Sequence, residues 1–217
     1  MATVAIIGAH GEVGRLVLRA LAGRGDTVLG VVRRDDQVQV INGLGGRGVL
    51  LDIESASAEE LARAIAGADA IVFSAGAGAG SGAARKRTVD YGGSVLSVEA
   101  ARLAGINRFV QVSGVGVDDP VAPGSDASWT AYVSAKSDAD RELRGSGLDW
   151  TVLRPGPLTD APGSGTVRLA ERTGSGAIAR QDVAALVVAC LDDGRSIGKQ
   201  WEARGGDTPV AQAVATA

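Results

Sequence analysis

Short apolar runs alternate with segments of helical period from one end of the chain to the other. Thr3–Ile7, Thr27–Val32, Gly48–Leu51, Ala70–Ser74, Arg108–Ser113 and Trp150–Leu153 read as strands, and Gln200–Ala203 as a short last one. The runs are continuously apolar rather than alternating, which is the pattern of strands buried on both faces. Between them, Glu12–Ala22 carries Val13, Leu16, Val17, Ala20 and Leu21 at helical spacing. Gln181–Leu191 puts Val183, Leu186, Val187 and Cys190 on one face. Ser57-Ala-Glu-Glu60 fits a capping box for a helix reaching about Ala66. Ala83–Ala104 reads as a long helix stopped at Gly105, and Trp129–Arg144 as another stopped at Gly145.

This order predicts an α/β chain with a doubly wound parallel sheet, a Rossmann fold. The expected strand order is 3-2-1-4-5-6, with a seventh strand near Trp201 and helices on both faces. No internal repeat or linker interrupts residues 1–217, so one domain is expected. Loops near 76–87, 114–128 and 157–179 follow strand ends, at the edge where open α/β sheets bind ligands, and are expected to shape a small substrate site.

Composition narrows the function classes. The net charge is −3 with 22% charged residues, which gives no global attraction to nucleic acid, and none is expected as a partner. A single cysteine, Cys190, excludes an internal disulfide and a cysteine-based metal site. With one histidine, a Ser-His-Asp triad or a zinc hydrolase site is not expected, and no metal is assigned. No apolar run is long enough to span a membrane, and the first residues lack the charged region of a signal peptide. The expected location is the cytoplasm. Oligomeric state stays open between monomer and homodimer.

Gly8-Ala-His10-Gly11-Glu12-Val13-Gly14 lies between the first strand and the first helix. That context is what a dinucleotide loop needs. Gly8 permits the tight turn, Gly11 lets backbone approach a pyrophosphate, and Gly14 permits close packing of helix on strand. The free N–H groups of the helix start face the phosphates. Arg33 and Arg34 end the second strand, where an acidic residue would hold a ribose 2′-hydroxyl. Guanidinium there pairs with a 2′-phosphate, so NADP(H) is expected over NAD(H), with Arg33 the better placed. Asp35 and Asp36 stand next to them as alternative surface partners. Asp52, followed by Ile53, stands where a carboxylate meets the adenine amino group or caps a turn. Ser74-Ala75-Gly76 is small enough to pass beneath a ribose. Arg85-Lys86-Arg87 is a short basic cluster, read as a solvated helix start or an anion-attracting one.

The segments GAHGEVGR, VVRR, LDIE, VFSAGAGAGSG, VDYGGSVLSVEAARLAGINRFVQVSG, YVSAKSDADRELRGSGLDWTVLRPGPLTD and RQDVAALV resemble an atypical, single-domain short-chain dehydrogenase/reductase of the NAD(P)H-binding type. Its relatives are the flavin/biliverdin reductases and the NmrA-like proteins. The resemblance implies a YxxxK element at Tyr132 and Lys136. Positions i and i+4 share a helix face, so Lys136 can approach both the phenol and the cofactor ribose. Tyr132 would then give a proton to a carbonyl oxygen, its pKa lowered from about 10 by the ammonium. Ser113 is the candidate third member, although extended relatives place that hydroxyl one residue later, at Gly114 here. Pro155, Gly156 and Leu158, in the RPGPL segment, would lie beside the nicotinamide. His10 stands where many relatives carry threonine. The implied function is hydride transfer from NADPH to a small carbonyl, quinone or flavin. The alternative is a non-catalytic NADP(H)-sensing regulator of NmrA-like type.

Overall fold

Seven parallel strands stand in the order β3-β2-β1-β4-β5-β6-β10, the predicted arrangement with its seventh strand. They are β1 (Thr3–Ile7), β2 (Thr27–Val32), β3 (Arg47–Leu50), β4 (Ala70–Phe73), β5 (Arg108–Val112), β6 (Asp149–Pro155) and β10 (Lys199–Gly205). The structure is a computed structural model that describes residues 1–78 and 80–217. Ala79, within the expected 76–87 loop, lies outside the described residues.

Helices α1 (Glu12–Gly23), α2 (Asp35–Gly43), α7 (Arg180–Asp192) and α8 (Val210–Thr216) cover one face. Helices α3 (Ala58–Ala64), α5 (Gly93–Ala104) and α6 (Ala127–Arg144) cover the other. Two apolar clusters result, one on each face. The first is built on Ile6, Val110 and Leu153 with α1 and α7, the second on Ile7, Phe73 and Phe109 with α3 and α5. The capping box forms: Ser57 Oγ accepts the Glu60 N–H at 3.2 Å, and the Glu60 carboxylate accepts the Ser57 N–H at 2.8 Å.

Three features depart from the sequence reading. The long helix is not uniform: α4 (Gly82–Arg85) runs into a π-helical segment, Lys86–Gly92, before α5. Asp35–Gly43, to which the sequence pattern assigns no element, is α2. The 157–179 loop holds strands β7 (Leu158–Thr159), β8 (Thr166–Ala170) and β9 (Ile178–Ala179). β8 pairs antiparallel with β10 and extends the sheet, and β11 (Thr208–Pro209) pairs with β8. β7 and β9 form a separate two-stranded pair.

The glycine turn is set by contact. A Cβ on Gly14 would lie 2.6 Å from the Gly8 carbonyl oxygen and 3.0 Å from Ala9 Cα. Backbone cannot step aside as a side chain can. Gly14→Ala is therefore expected to cost about 1–3 kcal/mol, measured as a lower urea midpoint with unchanged slope.

Candidate active site

The Gly8–Gly14 turn joins β1 to α1 between β1's two neighbours, β2 and β4, at the point where strand order reverses. Ligands of open α/β sheets bind there. Gly8 has φ +85°, and a Cβ on it would strike Ala75 at 2.6 Å. Gly11 is the N-cap of α1 and supplies no side-chain cap, so the N–H groups of the first turn face outward without a protein acceptor of that kind. A cleft opens in front of them. Gly8, His10, Gly11, Arg33, Ile53, Ser74, Ala75 and Gly76 of the sequence-predicted set line it. Burial and the nearby Arg15 and Arg34 hold His10 below its ordinary pKa, so it is a neutral imidazole at neutral pH.

The other predicted residues of this half lie apart. Arg34 pairs with Asp36 at 3.1 Å, the surface pairing open to it in the sequence. The Asp52 carboxylate accepts the Glu54 N–H at 3.0 Å, closing a turn rather than lining the cleft. Glu12 is exposed and pairs with Arg180 at 2.7 Å, while Val13 is buried in the core. Sequence reasoning missed Glu54, which also lines the cleft together with Arg85 of the basic cluster. The Glu54 carboxylate accepts from Arg85 and from Thr88 Oγ1 at 2.7 Å, and lies 3.8 Å from Arg33. Arg85 and the Thr88 hydroxyl hold its pKa below the usual carboxylate value. A carboxylate therefore stands beside the arginine expected to read a 2′-phosphate.

Further along the same sheet edge, α6 carries Tyr132, Lys136 and Asp140 four residues apart, on one face. The buried Lys136 Nζ lies 3.3 Å from Asp90 Oδ1 and donates to the Val112 carbonyl at 3.3 Å. Asp90 belongs to the π-helical segment and also accepts the Ala77 N–H at 3.0 Å. It thereby ties the loop after β4 to Lys136. Sequence reasoning missed Asp90 as well.

Tyr132 reaches over the end of β5. A Cβ on Gly114 would lie 2.5 Å from its hydroxyl oxygen, so Gly114 leaves the space that this hydroxyl fills. The phenol pKa is raised, not lowered as expected. Burial is the main cause, and Asp90 and Asp140 add to it against Lys136. Lys136 is already matched by Asp90 and cannot supply the expected net positive field.

Ser113 Oγ donates to Asp140 Oδ2 at 2.9 Å. Asp140 is fully buried and also accepts from Gln111 Nε2 at 2.7 Å and Arg154 Nε at 2.8 Å. Arg154 Nη1 donates to Asp118 at 2.7 Å. Pro155 ends β6 rather than opening a loop, and its carbonyl accepts the Val115 N–H at 3.1 Å. Gly156 follows against the Arg204 guanidinium, and Leu158 begins β7. None of Pro155, Gly156 and Leu158 lines the glycine-loop cleft. Cys190 is buried with its thiol pushed up to about 12 by burial, so it is a core residue and not a nucleophile. Among the described residues no cluster of metal-ligating side chains occurs, and no helix is long and apolar enough to cross a membrane.

A family model described as NAD(P)H-binding matches residues 8–194. The uncharacterized sugar epimerase YhfK of Bacillus subtilis is 36% identical over 97% of this chain and 98% of its own length. The UPF0659 protein YMR090W of Saccharomyces cerevisiae is 40% identical over 87% and 86% of the two chains. Among solved structures, a Bacillus halodurans protein provisionally named an NAD-dependent epimerase/dehydratase superposes with a TM-score of 0.91 at 33% identity, covering both chains completely.

Proposed function

The chain belongs to the NAD(P)H-binding family, and from that premise we propose that it is an NADPH-dependent reductase of a small carbonyl, quinone or flavin acceptor. The observation that carries this reading is the uncapped start of α1 behind the Gly8–Gly14 turn, open to a cleft at the sheet's reversal point. These residues fit a nicotinamide dinucleotide. The free N–H groups suit a pyrophosphate, and the Gly8, Gly11 and Gly76 backbones leave room at the wall. Arg33 would hold the 2′-phosphate and Lys136 the ribose hydroxyls.

When bound, the reduced nicotinamide supplies a hydride to the acceptor carbon. As the carbonyl electrons move onto oxygen, the Tyr132 phenol donates its proton there, and the phenolate regains one from solvent. The raised phenol pKa keeps that proton in place at neutral pH. The name of the Bacillus subtilis relative, a sugar epimerase, points instead to a sugar ligand. In this chain the segment after β6 is taken up by strands, α7 and α8, which favours a small acceptor over a large one.

The test is calorimetric titration with NADPH and NADH. Arg33→Ala is expected to lower NADPH affinity about tenfold or more, the scale of a lost charged hydrogen bond, and to leave NADH binding nearly unchanged. Glu54→Gln removes the carboxylate beside Arg33 and is expected to strengthen NADPH binding by roughly 0.5–1 kcal/mol. Binding of neither nucleotide would overturn the reading. Tight binding without turnover on any acceptor supports the NADP(H)-sensing alternative.

A further inference from the structure

Four basic side chains are buried along the sheet edge that carries Tyr132: Lys86, Lys136, Arg154 and Arg204. Two are matched. Lys136 pairs with Asp90, and Arg154 with Asp140 and Asp118. Lys86 and Arg204 have no carboxylate within ion-pair distance among the described residues, although only 8% and 5% of their surfaces are exposed. A buried charge is normally paired, because desolvation without a counter-charge is costly.

Lys86 stands beside Tyr132, and Arg204 stands at the Gly156 end of β6. Lys86 stands four residues before Asp90 in the π-helical segment, as Tyr132 stands four residues before Lys136 on α6. Asp90 meets Lys136, and one turn nearer the sheet edge Lys86 Nζ lies 5.5 Å from the centre of the Tyr132 ring. Its hydrogen-bond acceptor is the Gly78 carbonyl, at 2.7 Å. On the other side, the Arg204 guanidinium fills the space that a side chain on Gly156 would need. That puts it at the end of β6, the strand whose Pro155 carbonyl accepts the Val115 N–H just past Gly114. Its Nη2 donates to the Gly174 carbonyl at 3.0 Å, and Nε and Nη1 have no acceptor. The cover is Thr173–Gly176, where Gly174 and Gly176 both have positive φ.

We propose that the acceptor is an organic anion, a carboxylate-bearing carbonyl compound, held between Lys86 beside Tyr132 and Arg204 beneath the Gly156 turn. The assignment rests on the reductase reading and adds its substrate class. A carboxylate replaces the Gly174 carbonyl as the partner of Arg204 and supplies the charge that both cations lack.

The probes are 4-carboxybenzaldehyde, its methyl ester, and terephthalate. With NADPH, kcat/KM for the acid is expected to exceed that for the ester about tenfold or more, the scale of a buried charge pair. Lys86→Met and Arg204→Met should each erase most of that ratio while NADPH affinity holds. Arg204→Lys, which keeps the charge, should retain the preference, and this separates charge from folding. Equal kcat/KM for acid and ester, or a ratio indifferent to both methionine variants, overturns the proposal. Terephthalate titrated into the NADP⁺-loaded protein tests the anion site without turnover. If it binds and the variants abolish binding while neither aldehyde is reduced, the anion site stands and the reductase reading falls. If terephthalate does not bind, the anion site falls.

Discussion

Tyr132→Phe should lower kcat for carbonyl reduction by about a hundred- to ten-thousand-fold, the usual worth of a positioned general acid, and leave NADPH affinity nearly unchanged. The substitution removes one oxygen and keeps the ring, which stacks on Trp129 at 5.5 Å between centroids. The pH profile makes the result specific. Because burial raises the phenol above its ordinary value of about 10, native turnover should show no tyrosine-linked fall through the neutral range. A lowered phenol, as the YxxxK spacing alone suggests, would instead give a fall in reduction rate near neutral pH. Unchanged kcat in Tyr132→Phe would remove Tyr132 from the mechanism. It would leave a flavin or quinone acceptor, which can take its proton from water.

The sheet was legible in the sequence because its strands are apolar on both faces, and that pattern is local. The glycine turn was legible for the same reason: strand, glycines and helix follow one another directly. What escaped notice depends on tertiary contact. Lys86–Gly92 has ordinary helical residues, and its π geometry turns Lys86 and Asp90 toward α6 only in the folded chain. Short α2 begins with two aspartates and has few buried residues, so its period is weak. β8 sits in a glycine-rich stretch and gains its strand character from β10. Arg85-Lys86-Arg87 reads as one basic cluster, solvated or anion-attracting, yet its members have three separate fates. Arg85 pairs with Glu54, Lys86 is buried, and Arg87 pairs with Asp138 and covers the Tyr91 ring. Asp140 had a visible signal that went unused. It continues the four-residue spacing of Tyr132 and Lys136, on a helix face that buries polar side chains.

That spacing leads to the second large effect, on stability. Asp140→Ala should lower unfolding free energy by about 3–5 kcal/mol, the cost of removing one partner from a buried ion pair. Three donors converge on this carboxylate: Gln111 Nε2, Ser113 Oγ and Arg154 Nε. Without it all three lose their acceptor in a site closed to water, and Arg154 keeps only the partly exposed Asp118. The measurement is urea unfolding, with Arg154→Met made alone and in the Asp140→Ala background. If the charge pair is the origin of the loss, Arg154→Met should cost distinctly less in that background than alone, with a coupling of about 1–3 kcal/mol. Additive losses would show instead that the two side chains act separately, and that Asp140 serves mainly to fill space and orient Ser113. The distinction matters for the active site. Ser113 Oγ gives its one proton to Asp140 and has none left for an acceptor carbonyl while that bond holds, so Asp140→Ala both destabilises the fold and frees the Ser113 hydroxyl.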